Sequence, residues 1–202
     1  MKSPAFIIAK ERTKLQQEIE FEAKNLLSEQ EYQLLVAHFK SNQPKTQINY
    51  YFETEDFFLK SKGAALRIRE LNNQSVLTLK QPMEDGLLET HVKLSEETKK
   101  QWLNGNPVVI PQFKEHLNEL GLDPEKLKYW GKLTTDRIEI KEQQTTIVLD
   151  KSYYNNRVDY ELEIEANSLD TANHQLNKLL KAHGIERKHT ANKIVRFFQT
   201  LN

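Results

Sequence analysis

The sequence predicts an α+β protein built on an eight-stranded antiparallel β-barrel with helices packed outside it. Three observations carry this expectation. Eight segments alternate polar with apolar residues at the period of two that a strand imposes. Turn signals such as Asn72-Asn73 and Asp85-Gly86 join several of them in hairpin succession. Helical patterns at both ends and in one interruption supply partners for the apolar faces. Eight antiparallel strands can close, and such a barrel has an interior wide enough for side chains or one small ligand. The alternative is an open sheet with a wet, salt-bridged face. Against it, Arg67/Arg69 and Glu161/Glu163 repeat at i, i+2, where ordinary solvated strands use Thr, Ser, Gln and Lys freely.

Residues 1–15 lack a clear period and read as an N-terminal extension; residues 16–202 read as one domain. The first strand, Glu18–Lys24, sends Glu18, Glu20, Glu22 and Lys24 to one face and Ile19, Phe21 and Ala23 to the other. Ser28 and Glu31 have capping-box spacing, and Tyr32, Leu35, Val36 and Phe39 follow at helical intervals. Thr46–Thr54 is β-branched and aromatic, a second strand. After the break at Lys62-Gly63, Ala64–Glu70 sets Arg67 and Arg69 opposite Leu66 and Ile68. Ser75–Gln81 sets Thr78 and Lys80 opposite Leu77 and Leu79, and Leu88–Leu94 aligns Glu89, His91 and Lys93. From about 95 to 127, two helical patterns punctuated by Pro107, Pro111 and Pro124 read as an insertion. Strands resume at Thr134–Lys141 (Arg137, Glu139), Thr145–Lys151 (Val148, Asp150) and Val158–Ala166 (Glu161, Glu163, Glu165). Helices are expected over Leu169–His183 and Ala191–Leu201, joined by the basic run Arg187-Lys188-His189.

Composition narrows the function classes. Lys+Arg and Asp+Glu both number 29, so no global field gathers nucleic acid, and no aromatic-and-basic run supports base stacking. There is no cysteine, which removes disulfides, thiolate metal sites and Cys nucleophiles together. The apolar run Ala5–Ala9 is too short for a signal-peptide core or a membrane span, so a cytoplasmic protein is expected. Walker-type phosphate loops and GxSxG elbows are missing, the six histidines lack metal-ligand spacing, and Trp102 and Trp130 read as packing residues.

If the apolar faces meet the helices, the charges point into the lumen. Basic residues on the third, fourth and sixth strands then oppose acids on the first, seventh and eighth. A basic bank suits phosphate oxygens, and an all-oxygen acidic bank suits Mg²⁺ or Mn²⁺. The ordered set Glu20-x-Glu22-x-Lys24, Arg67-x-Arg69, Lys80, Arg137, Asp150, Glu161-x-Glu163 and Lys193 resembles the CYTH superfamily of triphosphate tunnel metalloenzymes, from about residue 17 onward. The resemblance implies a triphosphate tunnel in which Lys24, Arg67, Arg69, Lys80, Arg137 and Lys193 grip phosphate. It places Glu20, Glu22, Asp150, Glu161 and Glu163 around one or two metal ions, with Glu89 a further candidate; Lys80, Glu161 and Glu163 are expected to carry catalysis. Some relatives have His where this chain has Ile19, and Ser or Thr where it has Asn192, with Thr190 three residues before Lys193. The expected activity is metal-dependent hydrolysis of inorganic triphosphate or a small organic one such as thiamine triphosphate, by a monomer or homodimer with no nucleic-acid or membrane partner. The alternatives are an adenylate cyclase and a non-catalytic polyphosphate- or nucleotide-binding module.

Overall fold

The computed structural model describes residues 15–40, 43–109 and 111–201. The extension expected over residues 1–15 lies outside these except for Leu15, which packs against the core. The strands are β1 (Gln16–Leu27), β2 (Lys45–Glu53), β3 (Ala65–Leu71), β4 (Gln74–Met83), β5 (Gly86–Leu94), β6 (Lys128–Lys141), β7 (Thr145–Tyr154) and β8 (Arg157–Ala166). They close into an antiparallel barrel in the order β1-β5-β4-β3-β2-β6-β7-β8. Two meanders, β2 to β5 and β6 to β8, are sealed by β2 against β6 and by β1, which pairs with β5 over Gln16–Glu20 and with β8 over Phe21–Leu27.

Helices α1 (Glu29–Phe39), α2 (Phe58–Ser61), α3 (Glu96–Leu103), α4 (Pro111–Glu119), α5 (Leu169–Ala182) and α6 (Lys193–Phe198), with a 3₁₀ turn at Pro124–Lys126, complete the described chain. The Ser28–Glu31 capping box forms as its spacing predicts. On one side of the barrel α1 and α5 cover Ile138, Leu149, Leu162 and Ile164. On the other, Trp102 of α3 and Phe113 and Leu117 of α4 cover Phe52, Leu66, Ile68 and Leu79. Burying these outer faces directs the alternate strand residues, most of them polar, into the lumen.

Three departures from expectation shape the barrel end. The sixth strand starts at Lys128 rather than Thr134, because Gly131 (φ +145°) sits inside it beside a register shift of β2 and interrupts the apolar alternation. The four-residue α2 is too short for a helical period; the Glu53 carboxylate accepts from the Thr54, Leu59 and Lys60 amides and holds it. The tail helix is shorter than the Ala191–Leu201 pattern. Its Phe197 and Phe198 pack with Tyr51, Leu133 and Tyr154 on lumen-facing positions of β2, β6 and β7, closing one end of the barrel.

Candidate active site

The lumen is a cavity of about 630 Å³. Strand periodicity delivers its charged lining: Glu18, Glu20, Glu22 and Lys24 from β1, Arg67 and Arg69 from β3, Lys80 from β4, Glu89 and His91 from β5, Arg137 and Glu139 from β6, and Glu163 and Glu165 from β8. Tail helix α6 adds Lys193. In the ring of strands, β3 stands fourth and β8 eighth, so the arginines face the β8 carboxylates across the lumen.

Most lumen cations already have partners. Lys24 pairs with Glu22 and donates to Asn192 Oδ1 at 2.7 Å. Lys80 pairs with Glu20 at 2.5 Å and with Glu89. Arg137 grips Asp150 with two bonds, at 2.8 and 2.7 Å, and reaches Glu163 at 2.8 Å. Lys193 pairs with Asp150 and, at 3.1 Å, with Glu163.

Arg67 and Arg69 differ. Arg67 comes no nearer a carboxylate than 3.9 Å, at Glu89, and its buried Nε has no hydrogen-bond partner among the described residues. Arg69 donates to Asn49 Oδ1 at 3.0 Å and forms no ion pair among them. Burial, then Arg67 and Arg137, push the Arg69 guanidinium down to about 9. A guanidinium keeps its proton in a protein, so the shift marks a charge that is first desolvated and then crowded by two like charges. An incoming polyanion would relieve it.

The acids divide into two groups. Glu20, Glu22 and Glu163 line the cavity. Asp150 and Glu161 stand behind its lining, 0% and 1% exposed, with Asp150 on Arg137 and Lys193 and Glu161 on Arg196. Burial raises Asp150 and Glu163, but Arg137 and Lys193 outweigh it, leaving Asp150 lowered and Glu163 well below the carboxylate range. Glu20 is pushed up to about 7 by burial, with Glu22 and Glu89 adding to the rise against Lys80. Burial also raises Glu89, yet Arg67 and Lys80 hold it at about 2.

These donors fit a hard divalent cation. They are carboxylate oxygens, the ligands such an ion takes, and Glu20 and Glu22 stand on one face of β1 beside the same cavity. Glu18, Glu89 and His91 bring ligand atoms within 4.8 Å of one another. Glu18 and His91 were on the charged strand faces in the sequence, but their meeting depends on the β1–β5 pairing. Sequence reasoning does not single out Arg196; its i+3 spacing from Lys193 is the one signal that points to it. The tryptophans pack as expected, Trp102 edge-on to Phe52 and Trp130 against Phe57 and Phe198.

A closed eight-stranded barrel with this charged lumen defines a class of protein, and comparison with known sequences identifies it. The CYTH domain matches residues 18–198, and the chain belongs to that family. A Bacillus subtilis relative named "Putative triphosphatase YjbK" is 41% identical over 187 residues, 92% of this chain and 97% of its own length. A Bacillus halodurans structure named as a putative adenylate cyclase is 38% identical, with TM-score 0.86 over 90% of this chain and 98% of that one. The Hippeastrum protein HpAC1, 24% identical, shares the fold at TM-score 0.72 over 90% of this chain and 96% of its own. No helix among the described residues is long and apolar enough to cross a membrane.

Proposed function

We propose that this chain is a divalent-metal-dependent triphosphatase that hydrolyses inorganic triphosphate or a small organic triphosphate in the barrel lumen. The proposal includes a cytoplasmic setting and no nucleic-acid or membrane partner. The observation that carries it is the pair Arg67 and Arg69, directed into the cavity without a carboxylate at hydrogen-bond distance, while Lys24, Lys80, Arg137 and Lys193 are paired around them. Two under-compensated guanidiniums in a partly desolvated chamber form a seat for phosphate oxygens.

Arg67 and Arg69 bind the chain of phosphates, and Lys24, Lys80, Arg137 and Lys193 turn toward it. Glu20, Glu22 and Glu163 would hold Mg²⁺ or Mn²⁺, which supplies charge neutralisation on phosphoryl oxygens. Asp150 acts through Arg137 and Lys193, aiming both at the cavity, and Glu161 acts through Lys193, 3.9 Å away. Hydrolysis forms a bond from water oxygen to phosphorus and breaks a bridging P–O bond. The fixed cations stabilise the charge gathering on the leaving phosphate, so no side-chain nucleophile is required.

The name of the Bacillus subtilis relative agrees with this reading, and that of the Bacillus halodurans relative points to cyclisation. Product analysis separates them. The pure protein incubated with Mg²⁺ or Mn²⁺ and inorganic triphosphate, thiamine triphosphate or ATP should release orthophosphate from at least one substrate. Formation of cAMP from ATP, or binding without turnover throughout the panel, would refute the proposal.

A further inference from the structure

Arg196 does not line the cavity, yet each of its three guanidinium nitrogens donates a hydrogen bond. Nε donates to Asp159 Oδ2 at 2.8 Å, Nη1 donates to the Ala191 carbonyl at 2.5 Å, and Nη2 donates to Glu161 Oε2. Asp159 also accepts from the Tyr154 hydroxyl, so β7, β8 and the tail meet at one side chain. The bond to Ala191 closes the chain entering α6 onto the helix. That entry carries Asn192, which holds Lys24, and Lys193, which holds Asp150 and Glu163.

With Oε2 of Glu161 taken by Arg196, Oε1 is buried without a hydrogen-bond partner and stands 3.9 Å from Lys193 Nζ. Arg196 thus meets Lys193 twice, through the backbone of their shared helix and across Glu161. A planar fork suits this arrangement, since it can bind two carboxylates and a carbonyl at once.

We propose that Arg196 is a positioning residue: by clamping Ala191, Asp159 and Glu161 it holds the first turn of α6 so that Lys193 enters the phosphate-binding cavity at the correct place. This rests on the reading of the lumen as a triphosphate site. Arg196 touches no substrate and acts only through Lys193 and its carboxylate partners.

The test measures calorimetric affinity for inorganic triphosphate without divalent metal, beside thermal unfolding, for wild type, Arg196→Met, Arg196→Lys, Lys193→Met and the Arg196→Met/Lys193→Met double variant. Arg196→Met should weaken binding by about ten- to a hundredfold, the loss of one or two charge-assisted contacts. The double variant should bind no more weakly than Lys193→Met, because both changes remove the same contact. Arg196→Lys should recover much of the lost thermal stability, since a lysine can pair with one acid, but not the affinity, since it cannot span all three acceptors. Should Arg196→Met fail to fold, the Lys variant decides alone. Additive losses, wild-type affinity in either folded Arg196 variant, or affinity that follows stability across the set would overturn the proposal. Failure of wild type itself to bind triphosphate would instead refute the phosphate site on which it rests.

Discussion

At Arg69 a half-buried charge is opposed by Arg67 and Arg137, and its side-chain hydrogen bond among the described residues goes to Asn49. Removing that charge should damage binding more than folding. Arg69→Gln is expected to weaken triphosphate binding by about 1.5–3 kcal/mol for each charge-assisted hydrogen bond lost, with the melting temperature unchanged or raised. Calorimetry beside a thermal melt checks both, and unchanged affinity would remove Arg69 from the site. Glu20 gives the acidic counterpart. With its carboxyl raised to about 7, folding is favoured while Glu20 keeps its proton. That contribution is complete below the unfolded value near 4.5 and is lost as pH rises through about 7. Glu20→Gln should therefore raise the melting temperature relative to wild type at pH 8 and hardly at pH 5; a constant difference would mean Glu20 does not titrate in this window. Both residues were legible as members of one strand face. Their opposite states were not, because pairing depends on which strand lies across the lumen.

The tail helix shows the same division at the scale of an element. Helical spacing located it, but its closure of the barrel end depends on Gly131, where a Cβ would lie 2.7 Å from the Phe197 ring at φ +145°. Gly131→Ala should cost about 1–3 kcal/mol of stability through overpacking and backbone strain. It should also lower triphosphate affinity as α6 shifts Lys193. Denaturant unfolding and calorimetry test this, and an unchanged midpoint would show that the ring moves aside freely. A glycine inside an alternating strand ordinarily weakens the pattern, which is why the sequence placed the start of this strand at Thr134. Thr190 is a comparable case. Sequence left its part in the tail open, and in the structure its hydroxyl accepts from the Leu26 amide at 3.0 Å, pinning the tail to β1.

Across the whole molecule, the lumen holds acids and bases in alternating contact, so substrate and metal are expected to support one another. Excess chelator should abolish turnover by the proposed triphosphatase and weaken triphosphate binding, with Mg²⁺ or Mn²⁺ restoring both. Undiminished phosphate release in chelator would exclude the metal role. The sequence alone determined the alternation of each strand, the outer and inner faces, the oxygen-only acidic donors and the ordered charges that resemble the CYTH family. Side-chain period is local, and a one-residue error would turn a whole strand inside out, so these features are strongly encoded. Tertiary structure decided which charges neutralise each other. Asp150 and Glu161 stand on lumen-facing strand positions, yet pairing with Arg137, Lys193 and Arg196 sets them behind the cavity lining. Those pairs join β6, β7, β8 and a helix far along the chain. Coulomb attraction inside a closed barrel depends on distance through space, which no sequence spacing records.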